Sequence, residues 1–376
     1  MIIPLASMDP RRGLGLYGGV LTRSEIILEL GKHLDVVAFS DGSIRQRGNI
    51  HFYPDRFTVP RIIEFFAWFV SVAYYLVILL VHRPRFLIIT VPSAPHHELF
   101  ALVSSMVLRI PVVSIVVGYV SLGYAETHRK LILAQLAWSH AVVFTTRRLG
   151  RHYNLIGFVP KSSLVTYAVN PISRTRVMDR IPRSMARQKL NLPTEGKIVL
   201  TVGRYDPFKN LEDFCEVSRK MRRMWTGGFH AVMISATSSF PEYEAHVKDL
   251  MRRTPDSITL DNVPYEVIPL YLRSADCIVL SSRTDNYSRV LLEALANGVT
   301  IVSYEAGLEE LKDFSVDQSR GLITVPTGSV KDLVDKVYEV LASGESVSTR
   351  PDPHFFTDSF VIEHVLKPFR RLLESG

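Results

Sequence analysis

The chain has 376 residues, 47% hydrophobic and 22% charged, with a formal net charge of +7 and an isoelectric point near 9.3. That length exceeds one ordinary core and fits two domains, and the composition excludes a disordered or fibrous chain. The two cysteines, Cys215 and Cys277, exclude a disulfide scaffold and a zinc ribbon, and read as buried, inert thiols in a reducing compartment. The positive residues are scattered in short groups such as Arg147-Arg148, which suits phosphate-bearing ligands or an anionic membrane surface and argues against a nucleic-acid track.

Residues 1–4 (MIIP) carry no basic leader or cleavage site and read as the start of a first strand, residues 2–7, which gives a cytoplasmic expectation. The run Gly13-Leu14-Gly15-Leu16-Tyr17-Gly18 matches G-x-G-x-x-G, and Gly19 follows. Residues 8–12 separate the strand from the first glycine, which is longer than a dinucleotide turn allows, although Asp35 or Asp41 stands downstream as a dinucleotide site would require. Gly18-Gly19 instead open a helix, residues 20–33, whose free N–H groups accept an anion. An NAD-dependent enzyme built on these glycines is one alternative reading, and a turn that only needs glycine for its backbone is another.

Apolar runs at 36–40, 86–91, 112–117 and 142–145 alternate with helical patterns, for example 131–138. A second series follows at 198–202, 231–236, 258–260, 277–281 and 300–303. This alternation predicts an α/β protein of two doubly wound, Rossmann-like domains. Polar, proline-containing sequence near 167–187 separates them, giving domains 1–172 and 173–354, and residues 355–376 form a helix placed to pack back on the first domain. Residues 65–81 (FFAWFVSVAYYLVILLV) contain no charge. At the lower edge of membrane-spanning length, they read as a buried or oligomer-covered helix, as a helix docked on a membrane surface, or as a span. Spanning conflicts with strands 2–7 and 86–91 sharing one sheet. His96 and His97, after strand 86–91, face a strand's carboxyl end, where they read either as acceptor-side groups or as structural ones.

The most specific signals lie in the second half. Strand 198–202 leads into Gly203-Arg204-Tyr205-Asp206-Pro207-Phe208-Lys209-Asn210, after which Asn210 and Asp213 suggest a capping box for a helix over 211–224. Arg204 and Lys209 thus share a loop at the carboxyl end of a strand, where they neutralise a diphosphate, Arg through forked hydrogen bonds and Lys as a mobile point charge. After strand 277–281 comes Asp285-Asn286-Tyr287-Ser288, then a helix beginning near Arg289 that contains Glu293 and ends at Gly298. Loop amides at that helix start suit phosphate or sugar oxygens, and carboxylates such as Asp285 and Glu293 suit vicinal hydroxyls.

The order G-R-x4-K-N, then acid-x7-Glu, resembles the retaining GT-B glycosyltransferases related to glycogen synthase and the mannosyltransferases, glycosyltransferase family 4. Gly18-Gly19 resemble that family's N-terminal glycine turn, and Thr166-Tyr167-Ala168-Val169-Asn170 its interdomain strand. The resemblance implies two Rossmann-like domains facing a central cleft, a UDP-, GDP- or ADP-sugar donor, and a sugar, glycan or lipid-linked acceptor. It assigns Arg204 and Lys209 to the diphosphate, Glu293 to the ribose, Asp285 to the transferred sugar, and the amides of Asn286, Tyr287 and Ser288 to the sugar and phosphate. Asn262 to Tyr265 would lie beside the base. Asp285 replaces the family's usual Glu, Asn286-Tyr287-Ser288 its usual Gly-Phe-Gly, and Gly118-Tyr119 the turn that commonly carries a His, so Tyr119 joins His96 and His97 on the acceptor side. No metal motif and no cofactor beyond the donor are called for. The altered loop also leaves a non-catalytic nucleotide-sugar-binding protein as an alternative.

Overall fold

The alternation of β-branched runs with one-sided helices produces parallel sheets covered by helices. The computed structural model describes residues 2–4, 25–40, 46–47, 49–54, 64–92, 95–118, 126–159, 164–168, 171–178, 180–236, 240–283, 288–306, 308, 321–344 and 356–367. They divide into two compact units, one taking in residues up to 171 together with 356–367, the other 172–344.

In the first unit, β1 (Ile2–Pro4), β2 (Val36–Ser40), β3 (Gln46–Arg47) and β4 (Ile50–Pro54) form a sheet of order β1-β2-β4-β3, with only β3 antiparallel. A second sheet is all parallel and runs β5 (Leu87–Val91), β6 (Val112–Val116), β7 (Ala141–Phe144) and β8 (Leu164–Tyr167). β1 lies against β5. Side chains alternate across the strands. Ile88, Val113, Ile115 and Val143 pack on one face with Phe360, Val361 and Val365 from the C-terminal helical turns, whereas Leu87, Ile89, Val112 and Val142 pack on the other with Tyr75, Ile78, Leu79 and Phe100.

The uncharged segment lies within the helix Glu64–His82. It is neither wholly buried nor wholly bare: Val72, Tyr75, Ile78 and Leu79 face the core, while Phe69, Val70, Val77, Leu80 and Val81 are exposed. Among the described residues, no helix is long and apolar enough to cross a membrane.

The second unit is one parallel sheet of order β11-β10-β9-β12-β13-β14. Its strands are β9 (Lys197–Arg204), β10 (Phe229–Ala236), β11 (Ser257–Asp261), β12 (Cys277–Leu280), β13 (Ile301–Tyr304) and β14 (Leu322–Val325). Counted within the unit this is the doubly wound order 3-2-1-4-5-6, in which the direction of winding reverses between β9 and β12. A crevice forms at the carboxyl ends of the strands on either side of such a reversal, because the following loops leave in opposite directions. β14 and the helix Val330–Ser343 complete the sheet without having been anticipated from sequence; Leu322–Val325 is short and only its ends are buried.

Cys215 and Cys277 are both free and buried. Burial pushes the Cys215 thiol up to about 12 and raises that of Cys277 as well. Because the thiolate is the reactive form, a chromogenic disulfide reagent leaves the native protein unlabelled and titrates both thiols only in denaturant. Rapid labelling of the folded protein would contradict this packing.

Candidate functional site

Arg204 is the last residue of β9, next to the switch point. Its Nη2 lies 2.9 Å from Asp206 Oδ2, with the arginine side chain more than one-third exposed and the aspartate buried. Asp206 also caps the short 3-10 turn Pro207–Lys209, accepting from the Phe208 amide at 3.1 Å, so one carboxylate shapes the loop and aims the arginine. Asp206 itself is buried, so the pair is open to solvent only on the arginine side, where an arriving anion would meet it. Lys209 closes the turn and is half-buried.

The loop after β9 is tied to the loop after β12. Asn210 has φ of +48°, and its side-chain amide donates to Asp213 Oδ2 at 2.5 Å and to the Ser281 carbonyl at 3.2 Å. Ser281 Oγ in turn donates to the Lys209 carbonyl at 3.2 Å. The capping box expected here does not form: Asn210 caps the helix Leu211–Met224 through its backbone only, since its side chain is committed across to Ser281. Asp213 is a junction rather than a cap. It accepts from Arg283 Nη2 at 2.8 Å and from the Tyr304 hydroxyl of β13 at 2.6 Å. Burial first, and then Asp213, push the Tyr304 hydroxyl upward, so it stays a donor throughout the physiological range.

Glu293 sits in the helix Arg289–Ala296 and is fully buried. Arg176 forks onto it, with Nε 3.3 Å from Oε1 and Nη2 3.2 Å from Oε2. The Tyr265 hydroxyl also donates to Oε1, and Arg289 Nη2 lies 3.5 Å from the same oxygen. The Arg176 guanidinium stacks on the Tyr265 ring, 3.4 Å from its centroid, and donates to the Tyr265 carbonyl at 2.6 Å. Asn297 holds the segment carrying Arg176, donating to the Arg176 carbonyl at 2.9 Å and accepting from the Met178 amide at 2.6 Å. Arg176 and Asn297 were not singled out from sequence. The one available signal was an arginine within the junction 167–187, and no local pattern distinguishes it from its neighbours Arg174 and Arg180.

Ser288 stands at the N-cap of the Glu293 helix, half-buried, with no side-chain cap bond. Asp285, Asn286, Tyr287, Gly18, Gly19 and Tyr119 lie outside the described residues. In the first unit, His96 and His97 occupy the first turn of the helix Pro95–Met106, at the carboxyl end of β5. His97 is buried, with its Nε2 2.9 Å from the Tyr75 hydroxyl and its ring against the Tyr75 ring. Among the described residues no group of His, Cys, Asp or Glu is placed to hold a metal ion.

The second unit therefore sets a cationic loop, a polar loop and a buried carboxylate at the carboxyl ends of adjoining strands. Residues 182–350 match the family described as "Glycosyl transferases group 1". No curated protein matches the chain in a sequence search. Among solved structures, the chain is similar to sucrose-phosphate synthase from Thermosynechococcus elongatus, at 16% identity over 100% of both chains, with a TM-score of 0.78. It is similar to HepE from Anabaena in complex with UDP-glucose, at 13% identity over 100% of this chain and 99% of that one, with a TM-score of 0.69. A glycosyltransferase from Rickettsia africae is similar at 14% identity, over 100% of this chain and 96% of that one, with a TM-score of 0.71. At such identities the likeness is one of fold. The chain thus has the GT-B fold of two Rossmann-like domains, with residues 182–350 similar to the glycosyl transferases group 1 family.

Proposed function

We propose that the protein is a glycosyltransferase that moves a hexose-type sugar from a nucleoside-diphosphate donor to a sugar, glycan or lipid-linked acceptor with retention at the anomeric carbon. The observation that carries this reading is the pairing of Arg204 and Lys209 at the switch point of a sheet whose sequence matches the group 1 family. As the glycosyl bond breaks, negative charge grows on the departing diphosphate, and cations already in place stabilise it without reorganising. That is the part of the reaction in which a divalent ion otherwise serves, and the two side chains supply the same charge. Asp285 takes the transferred sugar, and the amides at Asn286, Tyr287 and Ser288 its hydroxyls and the phosphate.

Glu293 takes the ribose hydroxyls. Among the described residues its Oε2 accepts only from Arg176, which leaves a lone pair on that oxygen. Breaking the Arg176 pair would cost about 3–5 kcal/mol, so the ribose joins that pair rather than replacing it. The Tyr265 hydroxyl, which closes on Oε1, is the more readily moved group. HepE, similar in fold, was solved with UDP-glucose, which makes a uridine diphosphate sugar the first donor to test.

A panel of UDP-, GDP- and ADP-sugars tests the reading by thermal stabilisation and by slow donor hydrolysis. One donor is expected to raise the melting temperature and to release its nucleoside diphosphate. Stabilisation without turnover, even with acceptors supplied, would favour the non-catalytic binder suggested by Asn286-Tyr287-Ser288. A shift with NAD alone would refute the donor assignment.

A further inference from the structure

We propose that the first unit docks on an anionic lipid bilayer through the amino-terminal edge of its β5–β8 sheet. The observation is independent of the donor site. Because β5 to β8 are parallel, all the helix-to-strand connections reach the sheet at one end, just before Leu87, Val112, Ala141 and Leu164. Hydrogen bonds between successive connections make them one continuous surface: Leu87 N to Pro111 O, His140 N to Val112 O and Leu164 N to His140 O, with Ser105 Oγ donating to Trp138 O.

This edge is apolar where such turns are normally polar. Leu80, Val81, Val107, Trp138, Leu155 and Val159 lie along it and are 40–87% exposed. The exposed stripe of the helix Glu64–His82, with Phe69, Val70 and Val77, continues the surface along one side. Contiguous exposed apolar area of this kind marks an interaction site, and an indole at its rim suits the polar–apolar boundary of a bilayer.

The charges identify the partner. The connecting sequences LLVHRPRF (79–86), MVLRIP (106–111), WSH (138–140) and LIGFVPKSS (155–163) contain Arg83, Arg85, Arg109 and Lys161 and no acid. Arg83, Arg85 and Arg109 are exposed. From Glu64 to Ala168 the three acids, Glu64, Glu98 and Glu126, each stand in the first turn of a helix at the opposite end of the sheet, whereas the connections hold four of the nine Lys and Arg. Apolar side chains beside exposed arginines, with no acid in the connecting sequences, match an acyl layer beneath anionic headgroups, whereas a protein partner would also have to bury arginines that have no acidic partner among the described residues. Docking by this edge leaves the carboxyl-end loops of β5 to β8 facing water.

The test is flotation of the whole protein with phosphatidylcholine vesicles, with and without phosphatidylglycerol, in low and high salt. Binding is expected only with the anionic lipid and is expected to weaken in high salt. Val81→Asp with Val107→Asp should abolish flotation. Arg83→Asn, Arg85→Gln and Arg109→Asn together should weaken it on the order of a hundredfold, about fivefold per charge. Asparagine is chosen because Arg83 and Arg109 have φ of +43° and +54°, which it tolerates. Melting curves that match the parent show that these variants fold. Flotation equal on neutral and anionic vesicles, or unchanged in the variants, would overturn the proposal. So would a self-associated protein that the aspartates convert to monomer without any vesicle binding, because the edge would then be a contact between copies.

Discussion

Arg204→Ala and Lys209→Ala are each expected to reduce turnover by about 10²–10³-fold, the usual effect of removing one preorganised charge from a developing anion. Arg204 pairs with Asp206, whose carboxylate is buried, so removing the arginine is expected to cost some stability as well as turnover. Lys209 also serves the loop through its backbone, whose carbonyl accepts from Ser281. Steady-state kinetics with the donor identified by the panel checks this, alongside melting curves. The two replacements should differ in rescue. Arg204→Lys keeps a point charge but loses the fork, so it recovers only part of the rate, whereas Lys209→Arg places a bulkier fork on a half-buried stem. Turnover within threefold of the parent in both alanine variants would remove the diphosphate assignment.

Arg176→Ala is expected to destabilise the second unit strongly. It leaves the Glu293 carboxylate fully buried without the fork that neutralises it, which typically costs about 3–5 kcal/mol. For a lobe of this size that corresponds to a fall of roughly 6–20 °C in melting temperature. Tyr265 and Arg289 remain beside Oε1, and they hold the loss toward the lower end. The double replacement Arg176→Met with Glu293→Met separates structure from function. With both charges gone the site is apolar and stability returns, because hydrophobic replacement of a whole buried pair is often neutral. Donor affinity should not return with it, since the ribose acceptor is gone. Recovery of both would show that Glu293 serves only to fold the lobe.

How much of this was legible in the sequence follows from the range over which each signal acts. The helix Leu211–Met224 could be read to the residue, because its buried positions Leu211, Phe214, Cys215, Val217 and Met221 repeat at helical spacing. β9, β10 and β12 were visible as apolar runs, since central parallel strands are buried on both faces. β3, two residues long, offers too little pattern to detect. The capping box at Asn210 and Asp213 failed for an instructive reason. The residue types were right, but the side chains found partners on β12 and β13, which no local rule can weigh.

The site divides the same way. By itself the sequence determined that Arg204 and Lys209 stand close together at the carboxyl end of one strand, and that Glu293 stands on a helix following a polar turn. Residues close in the chain stay close in any fold that keeps those elements. Only the tertiary structure decided that β9 and β12 flank the reversal of the sheet, and that Arg176, 117 positions before Glu293, becomes its counter-ion. It alone assembled the acid-free connections into one exposed edge. Parallel pairing brings distant stretches of chain together, and a buried charge takes its partner from whatever that pairing delivers, so these outcomes belong to the topology rather than to any window of sequence.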